Sequence, residues 1–197
     1  MEQMMNIPTV ETDRILLRAF TPDDLDDLAP ILADPDVVRH LAGGKPFTRD
    51  QVAGAIERIN AYWGKHGFGL MALVLKESGR VAGWCGLTLL DATPEIELVY
   101  MLAKQEWGKG LAAEAARAML RLGFGMPGME RIVAVARHEN PASYRVMEKI
   151  GMRYERDVRF YDLDMVCYAI TPETMPGYQG AYIVHDDPGT AGRAGGR

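Results

Sequence analysis

Apolar and polar positions along this chain alternate between the period of a strand and the period of a helix. Arg14-Ile15-Leu16-Leu17-Arg18-Ala19-Phe20 is a first strand-length run. Thr21-Pro22-Asp23-Asp24 opens a helix to about Leu32, with threonine as cap, proline at the first position and acids in the first turn. Arg39 to Phe47, with Gly43-Gly44 and Pro46, is a loop. Thr48 caps a second helix that places Val52, Ile56, Ile59 and Trp63 on one face and ends at Gly67. Strands follow at Leu70–Leu75, Val81–Leu89 and Glu95–Leu102, joined by the turns Glu77-Ser78-Gly79 and Asp91–Pro94, connections short enough for antiparallel pairing. An Ala-rich helix, Leu111 to about Phe124, precedes a strand, Arg131–Ala136. Another helix runs from about Ala142 to Ile150 and stops at Gly151. A hairpin, Arg153–Phe160 with Leu163–Ile170, completes the order. This succession predicts an α+β fold (an α/β mixed sheet) with helices on both faces.

Length and composition narrow the class. The 197 residues fit one core-bearing domain, and 48% hydrophobic with 25% charged residues is an ordinary globular profile. No apolar run approaches the ~18 residues of a membrane span, and Met1–Val10 has neither a basic cluster nor an apolar stretch of signal type. The expectation is a cytoplasmic protein without a membrane partner. Cys85 and Cys167 each sit in an apolar strand context and are expected to be buried free thiols. The net charge of −5 argues against nucleic acid. Its distribution is uneven: Lys104 to Arg153 holds nine Lys/Arg against five Glu, a net +4 in an acidic chain. A basic central third fits an anionic ligand, or else solvated helix faces. After Thr171 periodicity is lost, and Asp186–Arg197 is expected to be a mobile tail.

The most informative segment is Gln105-Glu106-Trp107-Gly108-Lys109-Gly110-Leu111-Ala112, between the end of a strand and the start of the Ala-rich helix. The first turn of a helix has unpaired N–H donors and a partial positive charge. Glycines let the backbone bend so that several donors face one anion, and a diphosphate suits such a cradle. Gly108-Lys109-Gly110-Leu111-Ala112-Ala113 also fits the dinucleotide pattern G-x-G-x-x-A. That fingerprint follows the first strand of a parallel unit, whereas about ninety residues come first here. A nucleotide-triphosphate loop is excluded by the lack of Gly-Lys-Ser/Thr. A second strand-to-helix junction carries Glu139-Asn140-Pro141-Ala142-Ser143-Tyr144, in which Asn140 is a good cap and Pro141 a good first residue.

Gln105-x-x-Gly108-x-Gly110 followed by Asn140 through Gly151-Met152 resembles the pyrophosphate and second motifs of the GNAT superfamily of acyltransferases. Tyr100-Met101-Leu102…Trp107-Gly108-Lys109-Gly110-Leu111-Ala112-x-Glu114-Ala115 and Asn140-x-x-Ser143 most resemble its RimJ/RimL type. The resemblance implies a GNAT-like fold, with a mostly antiparallel, splayed central sheet, and acetyl-CoA as co-substrate without a metal. It implies that backbone amides of Trp107, Gly108, Lys109, Gly110, Leu111 and Ala112, beside Gln105, hold the diphosphate. Pantetheine would run between the strand ending at Leu102 and the strand Arg131–Ala136, pairing with a strand edge as a peptide would. Asn140 and Ser143 would line the thiol arm, and Lys109, Arg145 or Lys149 could meet phosphates. The acetyl group would pass to a primary amine, either a small molecule or a peptide N-terminus.

An amine must be neutral to attack, so a general base is useful. Glu97 is the candidate, an acid within an otherwise apolar strand that leads into the diphosphate loop and shares a face with Glu95 and Val99. Many GNAT enzymes carry a tyrosine acid seven residues after the motif asparagine, but this chain has Met147. Ser143 is then the candidate for contacting the sulfur, with Tyr144 a weaker one. An amide near Met101 or Leu102 could hold the oxyanion. Substrate selection is expected from Arg39–Phe47, Tyr62-Trp63, Phe68 and the hairpin around Tyr161. The expected organisation is an N-terminal extension (1–11), an acetyltransferase domain (12–171) and a C-terminal extension (172–197); homodimerisation is left open. A non-catalytic acyl-CoA-binding or sensor module is the alternative, with Met147 its best support.

Overall fold

The computed structural model describes residues 7–41, 43–91, 93–160, 162–177 and 180–185. The elements in chain order are β1 (Thr9–Glu11), β2 (Ile15–Arg18), α1 (Leu25–Ala33), α2 (Pro35–Val38), α3 (Arg49–His66), β3 (Leu70–Leu75), β4 (Val81–Leu89), β5 (Ile96–Leu102), α4 (Leu111–Phe124), β6 (Ile132–Arg137), α5 (Pro141–Lys149), β7 (Arg153–Phe160), β8 (Leu163–Ile170) and β9 (Ile183–His185). The helix boundaries follow local chemistry. Thr48 Oγ1 accepts the Gln51 N–H while Gln51 Oε1 accepts the Thr48 N–H, a reciprocal cap on α3. Gly67 ends the same helix in the left-handed conformation, its N–H on the Trp63 carbonyl.

The strands form one mixed sheet in the order β7-β8-β6-β5-β4-β3-β2-β1-β9. Every neighbouring pair is antiparallel except β5 with β6. Alternation along each strand divides the apolar residues between two faces. Leu98 and Leu102 of β5 join Leu87, Met119, Leu120 and Met147 in the core under α4 and α5. Met101, with Trp84, Leu28, Val52 and Ile56, joins the core under α1, α2 and α3. Both cysteines are free and fully buried, and burial pushes each thiol above its ordinary pKa. No helix of the described residues is long and apolar enough to cross a membrane.

Three elements lie outside those read from periodicity. The helix α2 has four residues, held by Asp34 Oδ1 accepting the Asp36 N–H at 2.9 Å and by Pro35 at the first position. One turn is too short to display a period. The strands β1 and β9 have three residues each and pair with one another, so their stability comes from tertiary pairing rather than pattern. They come from the segments expected to flank the domain. The expected tail at Asp186–Arg197 and the hairpin residue Tyr161 lie outside the described residues.

Candidate active site

The one parallel pair in the sheet is also its shortest between long strands. β5 and β6 are in register only at Ile96 with Ile132 and Glu97 with Val133. Beyond that point β5 runs on to Leu102 along β4, and β6 runs on to Arg137 along β8. The two strands therefore part into a wedge that opens toward their carboxyl ends. Each end leads into a helix, so both strand-to-helix junctions face the same opening, the usual place for a ligand where parallel strands diverge.

The first junction joins β5 to α4. Trp107 Nε1 donates back to the Leu102 carbonyl at 2.9 Å, and the Glu106 and Trp107 amides close a tight turn on Ala103 and Lys104. Gly108 and Gly110 then take φ of +77° and +81°, which a side chain would oppose. Buried Leu111 anchors the helix start, with Ala112 half-buried behind it. Among the described residues, the backbone bonds of this loop stop at Trp107 and resume where the Glu114 N–H meets the Gly110 carbonyl. The amides from Gly108 to Ala113 have no backbone acceptor between those points. They open at the positive end of a 14-residue helix. Lys109 Nζ turns aside to Glu106 at 3.1 Å, and Gln105 lines a cavity on the α1–α2 side with Asp27, Ile31 and Arg80. The loop's capacity for an anion thus lies in backbone amides more than in these two side chains.

The second junction joins β6 to α5 and caps part of its own first turn. Asn140 Oδ1 accepts the Ser143 N–H at 3.3 Å, and the Asn140 carbonyl accepts it at 3.1 Å. Pro141 has no N–H to satisfy. Tyr144 O–H returns to the Arg137 carbonyl at 2.6 Å. Ser143 Oγ lies 2.9 Å from the hydroxyl of Tyr100, which also donates to the Ser143 carbonyl at 3.1 Å. Tyr100 projects from β5 across the wedge, and burial pushes its phenol well above the ordinary value, so it stays protonated. Tyr100 stands in the segment that carries the resemblance, which gave it no contact with Ser143, a pairing across 43 residues. Met147, seven residues after Asn140, is 1% exposed and belongs to the core. Arg145 is exposed on the same helix, one turn before Lys149.

Glu97 sits at the vertex of the wedge and is 8% exposed. Its register neighbours are Thr88 on β4 and Val133 on β6. Alternation puts it on the α1–α3 face, opposite Tyr100 and Ser143. On that face the loop after α2 reaches the wedge, where Arg137 Nη1 donates to the Arg39 carbonyl at 3.1 Å. His40 follows, with its Nδ1 buried and without a hydrogen-bond partner among the described residues. Burial, then the charges of Arg39 and Arg137, hold its imidazole below the usual pKa. Trp63 is core rather than substrate surface: it is 5% exposed and its Nε1 donates to the Leu70 carbonyl at 2.8 Å. Phe68 packs half-buried against the core beneath α4.

Comparison with known proteins agrees with this layout. A family model described as an acetyltransferase (GNAT) domain matches residues 14–153, well over half of the chain. An uncharacterized protein of Bacillus subtilis, YkkB, is 35% identical over 83% of this chain and 96% of its own. An uncharacterized N-acetyltransferase of Bacillus licheniformis, p20, is 30% identical over 78% of this chain and 87% of its own. The crystal structure of a GNAT-family acetyltransferase from Bacillus anthracis superposes with a TM-score of 0.73 at 27% identity, covering 84% of this chain and 99% of that one.

Proposed function

The chain belongs to the GNAT acetyltransferase family, and from that premise we propose that it moves the acetyl group of acetyl-CoA to a primary amine by direct attack. The observation that carries this reading is the row of amides from Gly108 to Ala113, without a backbone acceptor among the described residues, at the mouth of the β5–β6 wedge. Those donors suit the diphosphate of coenzyme A, and the unpaired edge of β5 beyond Glu97 suits its pantetheine amides. Coenzyme A would bring the thioester into the wedge as substrate.

The residues then divide the work by face. Glu97, from the α1–α3 side, takes the proton of the attacking amine through a water as the new C–N bond forms. The amide near Met101 or Leu102 holds the oxyanion. As the C–S bond breaks, Ser143, oriented by Tyr100, hydrogen-bonds the departing sulfur. A thiol of pKa about 8.5 leaves tolerably as thiolate, so the lack of an acid at Met147 is no obstacle. The likeness to the RimJ/RimL type favours an α-amine at a peptide N-terminus as acceptor, in a cytoplasmic setting. The acetyltransferase unit spans 12–171, with 1–11 and 172–197 as its extensions.

The test is release of free thiol from acetyl-CoA in the presence of N-terminal peptides, amino acids, polyamines and aminoglycosides. Acceptor-dependent release with at least one amine, together with saturable coenzyme A binding, is the expected result. Coenzyme binding without turnover on any acceptor would leave a sensor and overturn the catalytic reading.

A further inference from the structure

The loop between β5 and α4 is also touched from the far end of the chain. Glu114, in the first turn of α4, is 5% exposed. Its Oε1 accepts the Thr12 hydroxyl at 2.7 Å and the Arg14 backbone N–H at 2.9 Å. Its Oε2 accepts Arg14 Nε–H at 2.7 Å, with Nη2 at 2.6 Å. Arg14 Nη1 in turn donates to the carbonyl of Lys109, inside the loop, at 3.0 Å. The turn between β1 and β2 is thereby drawn onto the amide cradle.

A guanidinium has five N–H donors in one plane, and these contacts engage three of its nitrogens while fixing that plane. Half of the Arg14 side chain nevertheless remains exposed, at 51%, against 6% for Glu114. A Cβ placed on Gly110 would lie 3.7 Å from Arg14 Nη2 and 3.7 Å from Lys149 Nζ. Two cations from opposite ends of the domain therefore flank the left-handed glycine at the centre of the cradle. Because Arg14 and Glu114 cancel at long range, the arginine's attraction is short-ranged and directional. Lys149 supplies charge without that direction.

We infer that Arg14 contacts the diphosphate of coenzyme A, and that Glu114 is a positioning residue that holds its guanidinium for that contact. The inference rests on reading Trp107–Ala112 as the diphosphate cradle. Glu114 acts before any ligand arrives, so the cofactor meets a fork already oriented and loses less entropy in binding it.

The experiment uses the full chain, with calorimetric titration of coenzyme A and dephospho-coenzyme A, steady-state kinetics in acetyl-CoA, and unfolding of the ligand-free protein. Arg14→Met is expected to weaken both ligands equally, by about tenfold, the value of one charge-assisted contact. KM for acetyl-CoA should rise with it, while kcat stays within about twofold. Arg14→Lys should recover part of the loss. Glu114→Gln keeps the shape and loses the carboxylate, and should weaken binding about threefold, less than Arg14→Met. Arg14→Met leaves a buried carboxylate without its cation and can fail to fold. The double variant Arg14→Met/Glu114→Met removes both charges and carries the same expected loss of binding. A loss confined to coenzyme A would place Arg14 on the 3′-phosphate and overturn the inference. So would unchanged affinity in folded variants, even if their unfolding temperature fell. Wild-type protein that binds neither ligand would remove the cradle reading and this inference together, whereas wild-type binding with indifferent Arg14 variants would remove the inference alone.

Discussion

The two strand-to-helix junctions at the mouth of the wedge share a topology and differ in where their amides go. At β5–α4 two glycines with positive φ turn the backbone outward, and the amides from Gly108 to Ala113 have no backbone acceptor among the described residues. At β6–α5 the Asn140 side chain and carbonyl hold the Ser143 amide and Pro141 carries no N–H, so fewer amides are left over, and the element offers a hydroxyl, Ser143, beside Tyr100. The first helix start leaves six successive amides without a backbone acceptor among the described residues, room for the diphosphate proposed above. The other leaves fewer amides over, and its capped turn mounts the Ser143 side chain. A helix N-terminus is therefore a binding site only where the chain leaves its donors unpaired.

That contrast can be broken most decisively at Gly110. We predict that Gly110→Val lowers coenzyme A affinity by about 100-fold or more, because a β-branched residue opposes φ of +81° and its Cβ enters the cradle. Calorimetric titration checks it, and an undiminished affinity would mean the amides are not the site. Glu97→Gln sharpens the division of labour. It should cut kcat/KM for the acceptor by about 10²-fold while coenzyme A affinity holds, the range for losing a general base. Ser143→Ala should lower kcat by about five- to tenfold, the worth of one hydrogen bond, with KM for acetyl-CoA unmoved. Asn140→Ala is the smallest. It should cost about 1 kcal/mol of stability, or about 2–4 °C in unfolding temperature, with coenzyme affinity within about twofold and stability restored by Asn140→Ser. If Asn140→Ala instead weakened the coenzyme at unchanged stability, the second junction would be a binding element like the first.

Much of this was legible beforehand for identifiable reasons. The strands Leu70–Leu75 and Val81–Leu89 and the helix Leu111–Phe124 were bounded by glycine turns, caps and a clear period, and they stand at those residues in the structure. The glycines at 108 and 110 announced an unusual backbone, and both have positive φ. Less legible were short elements stabilised by partners remote in the chain, such as β1 with β9. Side chains with a second use were also missed. Arg14 read as the start of a strand, Tyr100 as part of the segment that carries the resemblance without a partner, and Gln105 as part of the loop motif, though it lines a cavity on the other face.

The chain by itself determined the order of elements, the two junctions and the candidate acid in the strand that leads into the first of them. Each of these depends on neighbours within a few residues: hydrophobic period, capping chemistry and the conformational freedom of glycine. Only the tertiary structure decided which amides stay unpaired, which hydroxyl meets Ser143 and which cation flanks Gly110. Those outcomes depend on contacts spanning 43 residues between Tyr100 and Ser143 and 100 between Arg14 and Glu114. A local pattern carries no signal for such pairs, because the free energy that joins them comes from burial in a shared core.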